Sequence, residues 1–344
     1  VERLRGCGRR GTVLDRHVVL EKATATCSYS VYHRDEPVID RRSLSIFFGS
    51  LVALSSGFVA VSRLTGVSMI VLAPAYMFTP MFAGIVTCIV GRPSFERAGL
   101  RFPSNRLVWL GVAAVVPIAL LLVGTGVSLL LPGVEFVPDA DPLTGEGTEF
   151  APAEEPAGPS LPGWPLNLLF AVVFAIAVGA TINAVFAFGE EFGWRGVLLT
   201  ELAPLGFWGA SAVIGVVWGL WHAPVVLAGY NFPSNPVLGV GVMTLACLAM
   251  SPVYTYLTVT ARSVLAPSVF HGVFNAFAAT MFVFAQGGSE LLVNPVGGVG
   301  ILVFAVAALL VAVSGPPTLD RDWALEGDVA DGPRADSDAE SADA

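Results

Sequence analysis

Glu190 and Glu191 stand side by side in the stretch GEEFGWRG, Gly189 to Gly196, with Arg195 four residues beyond Glu191. About two dozen apolar, uncharged residues lead into them. A charge near the middle of a bilayer costs roughly 2.5–3.5 kcal/mol on insertion scales. Three charges so close together therefore need mutual pairing, a wet cavity or chemistry. His222, in WGLWHAP, and His271 with Asn275, in FHGVFNAF, are the other strongly polar side chains set inside apolar runs. Carboxylate and imidazole are the groups that take up and hand over protons, and buried Glu and His serve equally well in a proton- or ion-coupled transporter.

The spacing adds geometry. Glu191 and Arg195 are i and i+4, so they share a helix face and can neutralise each other, while Glu190 points about a quarter-turn away, toward other helices. His271 and Asn275 also share a face, and Gly272 lets another helix come close. Each piece has a plainer reading beside the catalytic one. The charged stretch can be an ion cluster that anchors its helix, and an isolated intramembrane His or Asn is often an interhelical hydrogen-bonding group. The six residues Glu190, Glu191, Arg195, His222, His271 and Asn275 are expected to meet inside one helical bundle.

The elements that must position them follow from composition. The chain has 344 residues, 54% hydrophobic and 13% charged, against about 25% charged in a soluble domain. It is therefore expected to be all-α, a polytopic membrane helical bundle with the bilayer as a partner and no nucleic acid. Apolar runs lie at 44–62, 66–90, 107–131, 166–188, 207–228, 236–259, 264–285 and 296–314. Each is close to the roughly 20 residues that cross a hydrocarbon core, giving about eight spans. Pro74, Pro80, Pro117 and Pro224 fall inside runs and predict kinks. Residues 1–43, with nine basic and six acidic groups, read as a poorly ordered arm, and 315–344, with two basic and nine acidic, as a solvated tail. No cleavable signal peptide is expected ahead of the first run. Cys88 and Cys247, in apolar runs, read as small core residues.

Charge in the loops sets the orientation. Arg92, Arg97, Arg101 and Arg106 join the second and third runs, whereas 132–165 has seven acids and no Lys or Arg. The positive-inside rule makes the first loop cytoplasmic and the second external, with both chain ends in the cytoplasm of a multi-pass cell-membrane protein. The external loop, rich in Pro, Gly and acid, is expected to be unstructured. The helical pattern after Phe188 continues to Pro204, which puts Glu190 ~20 Å from its helix end and His222 ~24 Å along the next span. Those depths match. They require a helix of nearly forty residues with a tilt, an external start, or a break near Gly179 or Gly189. His271 is expected to sit shallower unless its helix begins earlier.

EExxxR (Glu190, Glu191, Arg195), an aromatic-xxx-His (Trp218, His222) and HxxxN (His271, Asn275), in that order, resemble the CPBP family of intramembrane proteases, also called the Abi or type II CAAX prenyl endopeptidase family. The second motif commonly begins with Phe, and Trp218 stands there in this chain. The matched region is about 165–285. The resemblance implies an intramembrane endopeptidase acting on a membrane-associated protein or peptide. Glu190, helped by His222, would take a proton from water, and His271 and Asn275 would donate to the oxyanion, a role worth roughly 3–4 kcal/mol per good donor. Glu191 with Arg195 would hold the site electrostatically. It also brings Zn²⁺ as a candidate cofactor, with Glu190, His222 and His271 as candidate ligands; a metal-free or weakly metal-dependent site is the favoured expectation. Rival classes are a transporter and a non-catalytic scaffold or immunity-type protein. A serine protease is disfavoured because Ser211 lies on the helix of His222, about 16 Å away, and a site-2-type zinc protease because HExxH is absent.

Overall fold

A computed structural model of the chain describes residues 39–91, 93–103, 105–140 and 163–325, with the side chains of 279–283 set aside. Helix α1 is Arg41–Thr65, α2 Met69–Tyr76, α3 Thr79–Val90 and α4 Arg106–Ser128. Asp40 caps α1 by accepting the main-chain N–H groups of Arg42 and Ser43, so the last residues of the expected arm belong to the helix. The rest of that arm lies outside the described residues. The second apolar run is two helices. Pro74 sits inside α2, a turn at Met77–Phe78 follows, and Pro80 occupies the first turn of α3, where its missing N–H costs nothing.

The chain from Leu166 to Leu202 is helical without a break. It comprises α5 (Leu166–Val178), a π-helical turn (Gly179–Asn183), α6 (Ala184–Glu191), a second π-helical turn (Phe192–Leu198) and α7 (Leu199–Leu202). In place of a break near Gly179 or Gly189, one of the three ways foreseen to accommodate so long a helix, there are two wide turns in which the backbone bonds i to i+5. The direction reverses through a 3-10 turn, Ala203–Leu205, with Pro204 in it and Gly206 at φ 69°. Helix α8 (Gly206–Trp221) returns alongside, and His222 joins it to the short α9, Ala223–Leu227. Then come α10 (Pro236–Ala261), α11 (Leu265–Phe284), α12 (Glu290–Val293) and α13 (Gly298–Ser314).

Six helical stretches among the described residues are long and apolar enough to cross a membrane. One of them, Leu166–Leu227, contains two of the runs foreseen from sequence, because the reversal at Gly206 does not interrupt its helical character. The run at 264–285 corresponds to α11. The protein is an all-α, multi-pass helical bundle. Helix α10 packs on α8 and α13, and α11 packs on α4, α5, α6 and the first π turn.

Two stretches expected to be unstructured are ordered in part. Val134–Phe136 forms a strand, β1, antiparallel to β2 (Ala285–Gly287), with Glu135 opposite Gln286; residues 141–162 of that loop lie outside the described residues. Gly315–Leu325 packs on the bundle through Leu319, Trp323 and Ala324, which are buried, while Asp320 and Asp322 stay exposed. The indole Nε1 of Trp323 donates to Thr200 Oγ1 at 3.1 Å, Arg101 Nη1 donates to the Ala324 carbonyl at 3.0 Å, and Arg97 pairs with Asp322 at 2.9 Å. Apolar contact outweighs the acidity of this segment. Residues 326–344 lie outside the described residues.

Glycine sets the closest helix contact. A Cβ on Gly272 of α11 would overlap the carbonyl oxygen of Gly179 and come within 2.6 Å of the Ala184 nitrogen. Both obstacles are backbone, so neither can swing aside. Gly272→Ala is expected to cost about 3 kcal/mol, at the upper end of overpacking penalties, and to lower the melting temperature of the purified protein. An unchanged melting temperature would show that α11 and the π turn are not held this tightly.

Candidate active site

Glu190 and Glu191 diverge because successive side chains on a helix point about 100° apart. Glu190 turns toward α8, where the Trp218 indole donates to its Oε2 at 2.7 Å. Glu191 turns toward α11, where its Oε1 contacts His271 Nδ1 at 2.9 Å and accepts from Arg195 Nη1 at 3.1 Å. The pairing foreseen from the i, i+4 spacing is present, and both partners are fully buried. The guanidinium of Arg195 is also sandwiched between aromatic faces, 4.3 Å from the Trp218 ring centre and 4.6 Å from that of Tyr254. A planar, weakly hydrated cation suits such a slot.

The Nδ1 of His222 lies 2.8 Å from the Trp218 carbonyl. A carbonyl only accepts, so the proton is on Nδ1 and the Nε2 lone pair is left for the cavity. At His271 the same ring atom faces a carboxylate, so Nδ1 donates there as well. Its Nε2, on the other side of the ring, is a donor only in the imidazolium.

Glu190, Trp218, His222, His271 and Asn275 line one cavity of about 1110 Å³. Glu191 and Arg195 do not line it and stand behind its wall. The expected convergence therefore splits into a layer facing the cavity and a buried pair that steers one of its members. His271 lies in only the second turn of α11 and yet meets Glu191 at 2.9 Å. No hydrogen bond joins Glu190 to His222 among the described residues. Any cooperation between them runs through the cavity.

Among the described residues no three His, Cys, Asp or Glu side chains come together closely enough to hold one ion. Glu190, His222 and His271 surround the cavity without forming a coordination shell. As placed, the set does not fit a bound Zn²⁺.

Three contributors were not singled out from the sequence. Tyr76 stacks on Trp221 at 4.5 Å with an interplanar angle of 10°, its hydroxyl donates to the Trp221 carbonyl, and Trp221 Nε1 donates to Thr79 Oγ1 at 3.0 Å. These contacts fix the α8–α9 joint, and with it His222, against the α2–α3 break. Tyr254 closes the slot around Arg195. Aromatic residues in apolar runs give no sequence signal that separates such duties from ordinary core packing.

Trp218 carries a hydrogen bond that a Phe in its place lacks. Trp218→Phe is expected to keep the fold and the aromatic cover on Arg195 but lower kcat about tenfold, the scale of a lost charge-assisted hydrogen bond of about 1.5 kcal/mol. KM should stay within about twofold, as an interaction with Glu190 that acts on the chemical step requires. A change confined to KM would assign the indole to substrate binding.

Fold and site together define a polytopic membrane protein with a carboxylate, two imidazoles and a carboxamide facing a common internal cavity. Residues 162–277, the segment holding every one of these groups, match the family model described as type II CAAX prenyl endopeptidase Rce1-like. The resemblance read from the three motifs thus coincides with the matched segment, and the match supports a protease. No curated protein matches the chain.

Proposed function

We propose that this protein is an intramembrane endopeptidase that hydrolyses a peptide bond in a membrane-associated protein or peptide. The observation that carries this reading is the shared cavity: Glu190, His222, His271 and Asn275 come from three separate helical segments and face the same space. A water between Glu190 and His222 would lose a proton to the Glu190 carboxylate as its oxygen attacks the carbonyl carbon. Trp218 orients that carboxylate, and the Nε2 lone pair of His222 aims the water. The oxyanion that forms accepts hydrogen bonds from His271 Nε2–H and Asn275 Nδ2–H. The proton held by Glu190 then passes to the leaving nitrogen as the C–N bond breaks, giving a new carboxylate and a new amino terminus. Glu191, tied to Arg195, fixes the orientation of the His271 ring through Nδ1.

The arginines at 97, 101 and 106 support a cytoplasmic location for that end of the bundle, with 132–140 and 285–297 on the outer side of a cell membrane. The test is a comparison of membrane proteomes from cells carrying the wild type and Glu190→Gln. Uncut precursors should accumulate in the variant. Unchanged peptide termini with an altered solute flux would favour a transporter instead.

A further inference from the structure

Two connections border the mouth of the active-site cavity. The exposed part of its lining is Ile70 of α2, Tyr230, and residues 233–234 and 287–289, whereas Glu190 lies deep, at 2% exposure. One border is fixed. Phe232 is buried against α10, where a Cβ on Gly239 would come within 2.6 Å of its side chain. The other border, residues 289–296, is held lightly. None of the four residues of α12 is buried. Gly287 and Gly288, at φ 89° and 75°, precede this segment, and Gly297 and Gly298 follow it. A stretch with so little buried surface, set between two glycine pairs, swings at low cost.

Side chains tie the two borders together. Glu290 accepts from the Ser234 main-chain N–H at 3.2 Å and from Asn235 Nδ2 at 3.1 Å, and Asn294 Nδ2 donates to the Asn231 carbonyl at 2.8 Å. The two Glu290 bonds lie at the rim, where water replaces them readily. Behind the segment, between α4 and α13, is a second cavity of about 30 Å³ lined by Leu121, Gly124, Ser128, Val299 and Val303. Val293, Asn294 and Pro295 line both cavities. One short segment is thus the wall between them, and a shift toward α4 and α13 widens the mouth as it closes the smaller space.

We propose that residues 289–296 are a flap over the active-site cavity, with Glu290 and Asn294 as its latch and the space between α4 and α13 as the room into which it withdraws. The flap controls entry whatever the reaction; that it admits a peptide rests on the protease reading above.

Cys247 reports on the flap without turnover, because it lines the active-site cavity and is 1% exposed. The full chain in proteoliposomes is treated with a small methanethiosulfonate, and the label on Cys247 is followed by peptide mass. Glu290→Ala opens the latch and should speed labelling about tenfold, the scale of a charge-assisted hydrogen bond. Gly124→Val fills the room behind the flap. A Cβ there meets nothing closer than Val299 and Val303 at 3.9 Å, so this variant should melt no lower than the wild type yet label roughly threefold more slowly. A wild-type labelling rate in either variant would overturn the inference. Cleavage of a membrane-bound peptide, read as kcat/KM, should move in the same direction as labelling in both. Labelling that shifts as expected in a protein that cuts no peptide would uphold the flap and end the protease reading. Cleavage with unchanged labelling rates would do the reverse.

Discussion

Glu190→Gln is expected to fold, insert and melt like the wild type while cutting substrate at least about a hundredfold more slowly, the low end of what a positioned general base contributes. The amide is isosteric with the carboxylate, and its oxygen can still accept the Trp218 indole N–H, so the 2.7 Å contact survives. What disappears is the capacity to remove a proton from water. Glu191→Gln is the informative partner. Glu191 stands behind the cavity wall, bonded to Arg195 and His271, so its loss should lower stability as well as rate. Single-turnover cleavage and thermal unfolding on the two variants separate these roles. Wild-type cleavage by Glu190→Gln would remove the base assignment. Identical behaviour of the two variants would show that the adjacent carboxylates do not have separate duties.

Arg195→Ala is expected to give the largest loss of folded protein. It strips the counter-charge from Glu191, which has 0% side-chain exposure, and breaking a buried pair from one side costs about 3–5 kcal/mol. It also empties a slot between two aromatic faces, each such contact being worth about 0.5–2 kcal/mol. Glu191 Oε2, Arg195 Nε and Nη2 and the Tyr254 hydroxyl have no protein hydrogen-bond partner among the described residues. Few directed bonds hold the cluster, so little remains once the central one is gone. Pairing Arg195→Met with Glu191→Gln removes both charges and refills the slot, and it should recover much of the folded yield without restoring full activity. Yield and melting temperature after detergent extraction measure both effects. An Arg195→Ala protein as stable as the wild type would mean that the pair contributes no net stability.

Composition and hydropathy alone determined the class of fold, because a chain this apolar must satisfy its backbone within helices to sit in lipid. The i, i+4 spacings at Glu191–Arg195 and His271–Asn275 were legible for the same local reason: helix geometry places such residues on one face whatever surrounds them. The order of the three motifs was enough to bring out the family resemblance.

Which carboxylate meets which partner was decided by tertiary structure. Glu190 and Glu191 are chemically identical neighbours, and beyond the local Glu191–Arg195 pair only the packing of α8 on one side and α11 on the other gives Trp218 and the cavity to one and His271 to the other. The two π turns had no readable pattern, since such rare wide turns sit inside runs whose apolar periodicity reads as ordinary helix. The ordered stretch Gly315–Leu325 was hidden for a similar reason. Its acidic composition favours water, and only the site made by Thr200, Gly99 and Arg101, brought together from distant parts of the chain, makes burial of Trp323 the lower-energy choice.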